Sequence, residues 1–493
     1  MDYRLLPSAI GSVLALSACA SSAPQTFCNP ISAESMPIGV VCWHFNDGDR
    51  ITPETPDGCY RWWYTTTNGV ATARQYREMA DPETHVWNGA WYLYSSCGFL
   101  WKSTDAGGTW SRIPAMDHDP DYAPTVERFR GKYYLTECFS SLKVADSPEG
   151  PFRELGKFDL ATFQTDSKQR IRLGDPQLFA DGDHLYLYWG LCETDLWGTE
   201  LDPENPTKAL KPAVKLCSMS PDRPWMRRPL EGVFVFKRGD TYYLLHSGNE
   251  ATTHSYCMSV WKSKSPLGPY APQAENPFFF ATKPGMAYGG GHGSAWRDER
   301  GDWWINYTIC PQGKGFHGFQ RYIGQDRLEF AANGDIRLGH PTDEPQWLPS
   351  SGKKGPTGWK KLPLTTAAEK AVDDEPYTYE TLGELPSTTV FELGCTCEIN
   401  AFRLFWMDIG LDVHRGVRGG PYRYRVERRL KGEWTAWFDA SANDRDLTVD
   451  YREAPSATAD AVRLVVVGAP RGLKPGLGEF TVFGKPLKSE ALP

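Results

Sequence analysis

The sequence predicts an all-β chain, a five-bladed β-propeller followed by a β-sandwich (jelly-roll) domain. Three observations carry the prediction: a hairpin that recurs five times, a second landmark in two of those units, and strands that return after a Gly-, Pro- and Lys-rich break. The hairpins are NGAWYLYSS from Asn88, RGKYYLTEC from Arg130, DGDHLYLYWG from Asp181, RGDTYYLLHS from Arg238 and RGDWWINYT from Arg300. Aromatic and β-branched runs meeting at such a glycine are a hairpin signal. The turn glycines Gly89, Gly131, Gly182, Gly239 and Gly301 stand 42, 51, 57 and 62 residues apart. A period of that size with several short strands per unit fits propeller blades. The second landmark, LKVADSPEGPF from Leu142 and VWKSKSPLGPY from Val260, reads as a third strand running into a Pro-Gly turn before a fourth.

Length and composition agree. A chain of 493 residues exceeds what one hydrophobic core serves and implies two or three domains. A net charge of −8 argues against a nucleic-acid partner. The 19 Trp and 23 Tyr suit binding of flat sugar faces, and blade packing uses the same residues. Of the 12 Cys, Cys19 belongs to the leader; the odd remainder leaves at least one thiol free and shows neither CxxC nor Cys/His metal spacing. Most read as buried small residues, with any bridges near the N-terminus of an exported chain.

In chain order, residues 1–19 read as a lipoprotein signal peptide. Leu5 to Leu16 is a short apolar run after Arg4, too short to span a bilayer. Leu16-Ser17-Ala18-Cys19 resembles a bacterial lipobox, which implies that Cys19 is lipidated. The chain is then exported and held by lipid at the bacterial outer membrane, periplasmic or cell-surface, with ordinary secretion as the alternative. That anchor is the one expected membrane contact, and the protein is expected to be a monomer. Residues 20–36 read as a tether and 37–345 as the propeller. Within its first blade, STDAGGTW from Ser103 matches the Asp-box turn, a structural hairpin between outer strands. Residues 346–377 read as a linker, by their Gly, Pro, Lys and acid content. In 378–493 strands resume, and the alternation of Tyr422, Tyr424 and Val426 marks a half-buried antiparallel sheet.

A candidate site follows from the repeat. Eight residues before each turn glycine stand Asp81, Ala123, Gly174 with Asp175 beside it, Glu231, and Gly293 with His292 beside it. This is the start of each innermost strand, where a propeller converges on its channel. A single acid there reads as an ordinary strand-start turn residue; three at matching positions read as a shared site. Carboxylates gathered in one channel suit general acid–base work, one giving a proton and another taking one. Three neighbouring carboxylates repel, so one retains its proton, as an acid catalyst must. That one is expected to be Glu231, with Asp175 supplying much of the field. Glu193 and Trp87 are further candidates for substrate contact, as is Trp101; His246 and His254 show no partner in sequence.

The motifs ADPETHVWNGAWYLY, LGDPQLFADGDHLYLYWG, EGVFVFKRGDTYYLLHSGN and GGGHGSAW resemble those of glycoside hydrolase family 43, in the family's order and across the whole propeller. The resemblance implies an inverting, exo-acting glycosidase. It implies Asp81 as general base, Glu231 as general acid and Asp175 as the residue that orients the acid and tunes its pKa. It places His292 on a channel histidine that often holds a calcium ion through waters, and Arg321 near a position often occupied by Arg. No cofactor is required; a structural calcium in the channel is the one candidate ion. Leu230 and Gly232-Val233 depart from the usual Glu-Gly-Pro without moving the carboxylate. The C-terminal stretch Cys397 to Lys485 resembles a discoidin-like, galactose-binding-type sandwich through INAFRLFW, DYRE, AVRLVVVG and EFTVFG. It is read as a packing module ahead of a sugar binder.

The expected function is removal of terminal arabinofuranosyl, xylosyl or galactosyl units from plant-type oligo- or polysaccharides. The alternatives are a non-catalytic surface carbohydrate-binding lipoprotein and a five-bladed glycoside phosphorylase, for which Arg227 and Arg228 offer cations near the acid.

Overall fold

A computed structural model describes residues 25–35, 63–67, 70–74, 79–96, 99–113, 122–164, 171–226, 230–249, 251, 255–280, 290–309, 321–338, 341–375, 378–411 and 417–487. Blade 1 is built from Glu83–Trp87, Ala90–Ser95, Phe99–Ser103 and Ser111–Ile113, each antiparallel to the last. Blade 2 repeats this with Thr125–Phe129, Lys132–Thr136, Leu142–Ala145 and Arg153–Gly156. Blade 3 runs Gln177–Asp181, His184–Trp189 and Asp195–Asp202, with Asn205–Ala209 and Val214–Ser218 both on the third strand. Blade 4 runs Glu231–Arg238, Thr241–Gly248 and Cys257–Ser263, with Ala271–Pro272 and Phe279–Phe280 outside. Blade 5 has Gly290–Arg297, Trp303–Ile309 and Tyr322–Arg327. The protein is all-β, with the five blades the repeat predicted.

Two turn chemistries make the inner hairpins. In blades 1 and 2 both central residues have positive φ, Asn88 with Gly89 and Arg130 with Gly131, the signature of a type I′ turn. In blades 3 and 4 the glycine comes first, Gly182 before Asp183 and Gly239 before Asp240, and it alone is left-handed, as in type II′. Aligning the blades on glycine therefore shifts blades 3 and 4 by one residue.

Neighbouring inner strands are not hydrogen-bonded as sheets, so side chains tie them. Leu178 N donates to Thr125 Oγ1 at 2.9 Å, and Gln177 exchanges two bonds with the Val235 backbone at 2.8 and 3.0 Å. Apolar layers fill between blades; Tyr186 and Tyr188 of blade 3, for example, pack with Val233, Val235 and Leu244 of blade 4. The Asp-box is structural, as read. Asp105 accepts from Ser103 Oγ and from both N and Oγ1 of Thr109, each at 2.8 Å, over a fully buried Trp110.

The expected tether needs correction. Residues 25–35 lie against the outer strand of blade 5: Ile31 N donates to Ile323 O, and Asn29 exchanges bonds with the Gln325 backbone at 2.8 and 2.9 Å. They occupy the fourth-strand place in a three-stranded blade and reach blade 1 through an Ala33–Trp110 bridge. The segment thus closes the ring; it hid in the sequence because only Thr26–Phe27 forms a strand, pairing with Gln346–Trp347. Cys28 within it is a buried free thiol, and the other described cysteines are free as well.

The linker prediction also needs trimming. Lys360–Lys361, inside 346–377, pairs with Lys474–Pro486 in the C-terminal sheet. That sheet continues through Ser387–Ile409, Val449–Gly468, Arg423–Leu430 and Glu433–Ala440. Its two longest strands lose register between Glu392 and Cys397 and again between Ile399 and Ala401. Such bulges bend strands, here around Phe391, Phe402, Trp406, Tyr424 and Phe480, consistent with a β-sandwich. It packs on the propeller through Phe405 against Tyr322, 5.0 Å between ring centroids, and through buried Arg403, which donates to Asn29 O.

Candidate active site

At the start of each inner strand one residue is left-handed: Asp81, Ala123, Asp175, Gly232 and His292, with φ between 42° and 59°. In blades 1 to 4 it stands six residues before the strand's last residue, Trp87, Phe129, Asp181 or Arg238. The match to Asp81 in blade 4 is therefore Gly232, and Glu231 sits one residue earlier. A left-handed L-residue costs roughly 1–2 kcal/mol, so four non-glycines there require compensation from their side chains. Asp81, Asp175 and His292 obtain it by meeting.

His292 Nδ1 lies 3.2 Å from Asp81 Oδ1 and 3.5 Å from Asp175 Oδ2. Asp81 also accepts from Arg321 Nη1 at 3.2 Å and from Ser96 Oγ, while its N donates to Thr308 Oγ1 at 2.7 Å. Burial pushes the Asp81 carboxyl up, but Arg321, His292 and the two hydroxyls outweigh it and hold the group below its usual value. Burial lowers His292 against the pull of Asp81, leaving a neutral imidazole; the carboxylates facing Nδ1 require the Nδ1–H tautomer.

Glu231 is buried without a salt-bridge partner among the described residues. Tyr256 donates its hydroxyl to Oε1 at 2.8 Å and Cys192 its thiol to Oε2 at 3.4 Å. Burial raises its pKa; the Tyr256 bond opposes this and the Asp81 charge adds to it. Asp175 is raised well above the carboxylate range, first by burial and then by Glu231 and Asp81. Two buried acids so coupled titrate as a pair, and their mutual repulsion favours holding one proton between them. Asp175 Oδ2 also accepts from Gly232 N at 3.1 Å, gripping the backbone beside the Glu231 side chain. Gly232 must be glycine, since a Cβ would lie 2.9 Å from His292 Cγ at a φ of 59°.

Glu193 stands at the rim, bridged by backbone to Leu230, with Oε1 3.9 Å from Arg172 Nη1. Trp87 is not brought to the site. It ends the inner strand six residues beyond Asp81, about 20 Å away along an extended chain, and stacks on His85 at 4.2 Å. Trp101 is fully buried, donating to Glu34 O. His246 is a buried acceptor for Trp261 Nε1 at 3.1 Å. Cys19, Arg227, Arg228 and His254 lie outside the described residues.

The sequence missed Ser96, Thr308, Tyr256, Cys138 and Cys192. Cys138 donates to Asp175 Oδ1 at 3.4 Å. A signal existed for three of them, because Ser96, Cys138 and Thr308 follow Gly89, Gly131 and Gly301 by the same seven residues. For calcium, which takes six to eight oxygen ligands, the fit is poor. Among the described residues no group of three or more His, Cys, Asp or Glu is arranged for a metal, and Nδ1 of His292 is taken up by Asp81 and Asp175.

Residues 100–336 match the model of glycosyl hydrolases family 43, a span that includes Asp175, Glu231, His292 and Arg321. The chain is 25% identical over 272 residues to a xylosidase/arabinosidase of Thermoclostridium stercorarium, covering 47% of this chain and 54% of that one. It is 28% identical over 285 residues to a non-reducing end alpha-L-arabinofuranosidase of Bacteroides ovatus, covering 53% and 46%. The chain spans about half the length of these curated relatives. A solved thermostable family-43 glycoside hydrolase, 22% identical, overlaps 56% of this chain and 96% of its own with a TM-score of 0.47. Over residues 100–336, which hold four of the five converging site residues, the chain is thus similar to glycosyl hydrolases family 43.

Proposed function

We propose that the protein is an inverting, exo-acting glycoside hydrolase that removes terminal arabinofuranosyl, xylosyl or galactosyl units from plant-type glycans. The observation that carries this is the unequal treatment of two buried carboxylates. Asp81 has Arg321 and two hydroxyls and stays ionised, as a base that draws a proton from water must. Glu231 has only neutral donors and favours its protonated form, as an acid that serves the leaving oxygen must. Asp175 positions the acid through Gly232 N, while burial and the Asp81 charge raise the pKa of Glu231. Water attacks the anomeric carbon as Asp81 takes its proton, while Glu231 gives its own proton to the departing oxygen. Both protein protons and the inverted anomer are then accounted for. Arabinofuranosyl and xylosyl units are favoured among the sugars by the names of the two relatives. We also propose export with a lipid on Cys19 and a supporting, discoidin-like role for the sandwich.

The test is Glu231→Gln on a natural arabino- or xylo-oligosaccharide with a poor leaving group, with the product anomer followed by NMR. We expect a loss of roughly 10³-fold or more in kcat and an inverted first product in the parent. Intact turnover in the variant, or a retained anomer, overturns the mechanism. A rate that depends on added phosphate makes the protein a phosphorylase instead.

A further inference from the structure

The inner strands have a second end. Glu231–Arg238 carries its last residue about 20 Å from the acid, and there blades 4 and 5 enclose a groove of about 1140 Å³. Its walls hold six cations, in a chain of net charge −8. Four of them are satisfied: Lys237 by Asp181 at 2.8 Å, Lys262 by Asp335, Lys264 by Asp240 at 2.9 Å and Arg327 by Asp302 at 2.6 Å.

Arg238 and Arg297 differ. Neither has a carboxylate partner among the described residues. Arg238 lies over the ring of Phe330 at 4.3 Å and Arg297 over that of Trp303 at 5.5 Å, and the two rings are 6.1 Å apart. Arg297 Nε reaches only Gly301 O, at 3.4 Å. Aromatic faces orient a guanidinium without neutralising it, so two charges without a carboxylate partner stand in one groove wall, Arg297 giving only Nε to Gly301 O. A carboxylate or a phosphate has the geometry that fits such a fork. The flanking Asp240 and Asp302 break the positive field into a short patch, which disfavours a densely charged polymer such as nucleic acid or polyphosphate. Thr241 and Asn333, also in the wall, are engaged by Lys264 and Asp335, which leaves the two guanidinium groups as the groove's cationic donors without a carboxylate partner.

We propose that this far-face groove binds a glycan bearing isolated carboxylates, a uronic-acid-substituted oligosaccharide, through Arg238 and Arg297. It is separate from the channel, and a failure of the catalytic reading leaves it standing. The groove keeps the enzyme on an acidic glycan while the channel works on neutral termini. The test is calorimetry on the full chain with a xylo-oligosaccharide carrying one glucuronic acid, against the same compound with its carboxyl reduced to an alcohol. The parent should bind the acid form about tenfold or more tightly, and that preference should vanish in Arg238→Gln/Arg297→Gln. The variant should keep the parental kcat/KM on a small aryl glycoside and the parental Tm. Equal binding of both compounds by the parent, or a preference that survives in the variant, overturns the proposal. Equal competition by polyphosphate overturns the assignment to a glycan.

Discussion

The two ends of the inner strands are made from the same five segments and solve opposite problems. At the turn end the left-handed positions are filled mainly by glycine, and charges such as Lys237 and Asp181 pair at the surface. At the channel end the left-handed positions are held by Asp81, Ala123, Asp175 and His292, with glycine only at Gly232, and the acids are buried. The turn end adopts its backbone at little cost; the channel end accepts strain and desolvation and recovers them through mutual contacts. The contrast teaches that burial and strain together, repeated around a ring, mark the chemistry better than any single acid does.

The sharpest way to break this comparison is to remove charge at one end only. Asp81→Asn keeps the shape and the Thr308 bond but leaves no base, and kcat should fall roughly 10²–10⁴-fold. Lys237→Gln at the turn end breaks a solvent-screened pair and should leave kcat within twofold. Steady-state rates on one natural oligosaccharide decide it. Comparable losses in both variants would show that the ends are not functionally distinct.

Arg321 tests whether environment, rather than residue type, separates base from acid. Asp81 must be ionised, so the acid limb of the pH profile falls as pH drops through its depressed pKa. Glu231 must be protonated, so the alkaline limb falls as pH rises through its raised pKa. Arg321 lowers both groups. In Arg321→Gln both pKa values rise, and the whole profile should move to higher pH by about one unit or more. Arg321→Lys should recover most of the position. A change in KM with unmoved limbs would make Arg321 a substrate contact instead.

The turn end was legible because its glycines answer a backbone demand that few other residues meet. The channel end was legible only through its acids, and with an error of one residue in blade 4. Glycine comes second in a type I′ turn and first in a type II′ turn, and a pattern aligned on letters does not distinguish them. Tyr256 and Cys192 were beyond reach, because each meets Glu231 from a different stretch of chain across the fold. The ring-closing segment was obscured for another reason: its hydrogen bonds run through the Asn29 side chain as much as through backbone. Side-chain ladders leave no strand-like alternation to read.

The smallest expected effect separates strain from function within one blade. Ala123 and Gly131 are the left-handed residues at the two ends of the same blade 2 strand, and Ala123 carries no polar group. Gly131→Ala puts a Cβ at a φ of 78°; there is open space for it, so the cost is conformational, about 1 kcal/mol. Ala123→Gly relieves the same kind of strain at a φ of 47°, and the freer unfolded chain takes back roughly 0.4–1 kcal/mol. The net change should be near zero, and activity should hold, since no site contact is lost. Denaturant unfolding of both variants reads the difference directly. If Ala123→Gly instead costs a large share of kcat with stability unchanged, the methyl group of Ala123 shapes the channel, and the fifth left-handed position belongs to the site with the other four.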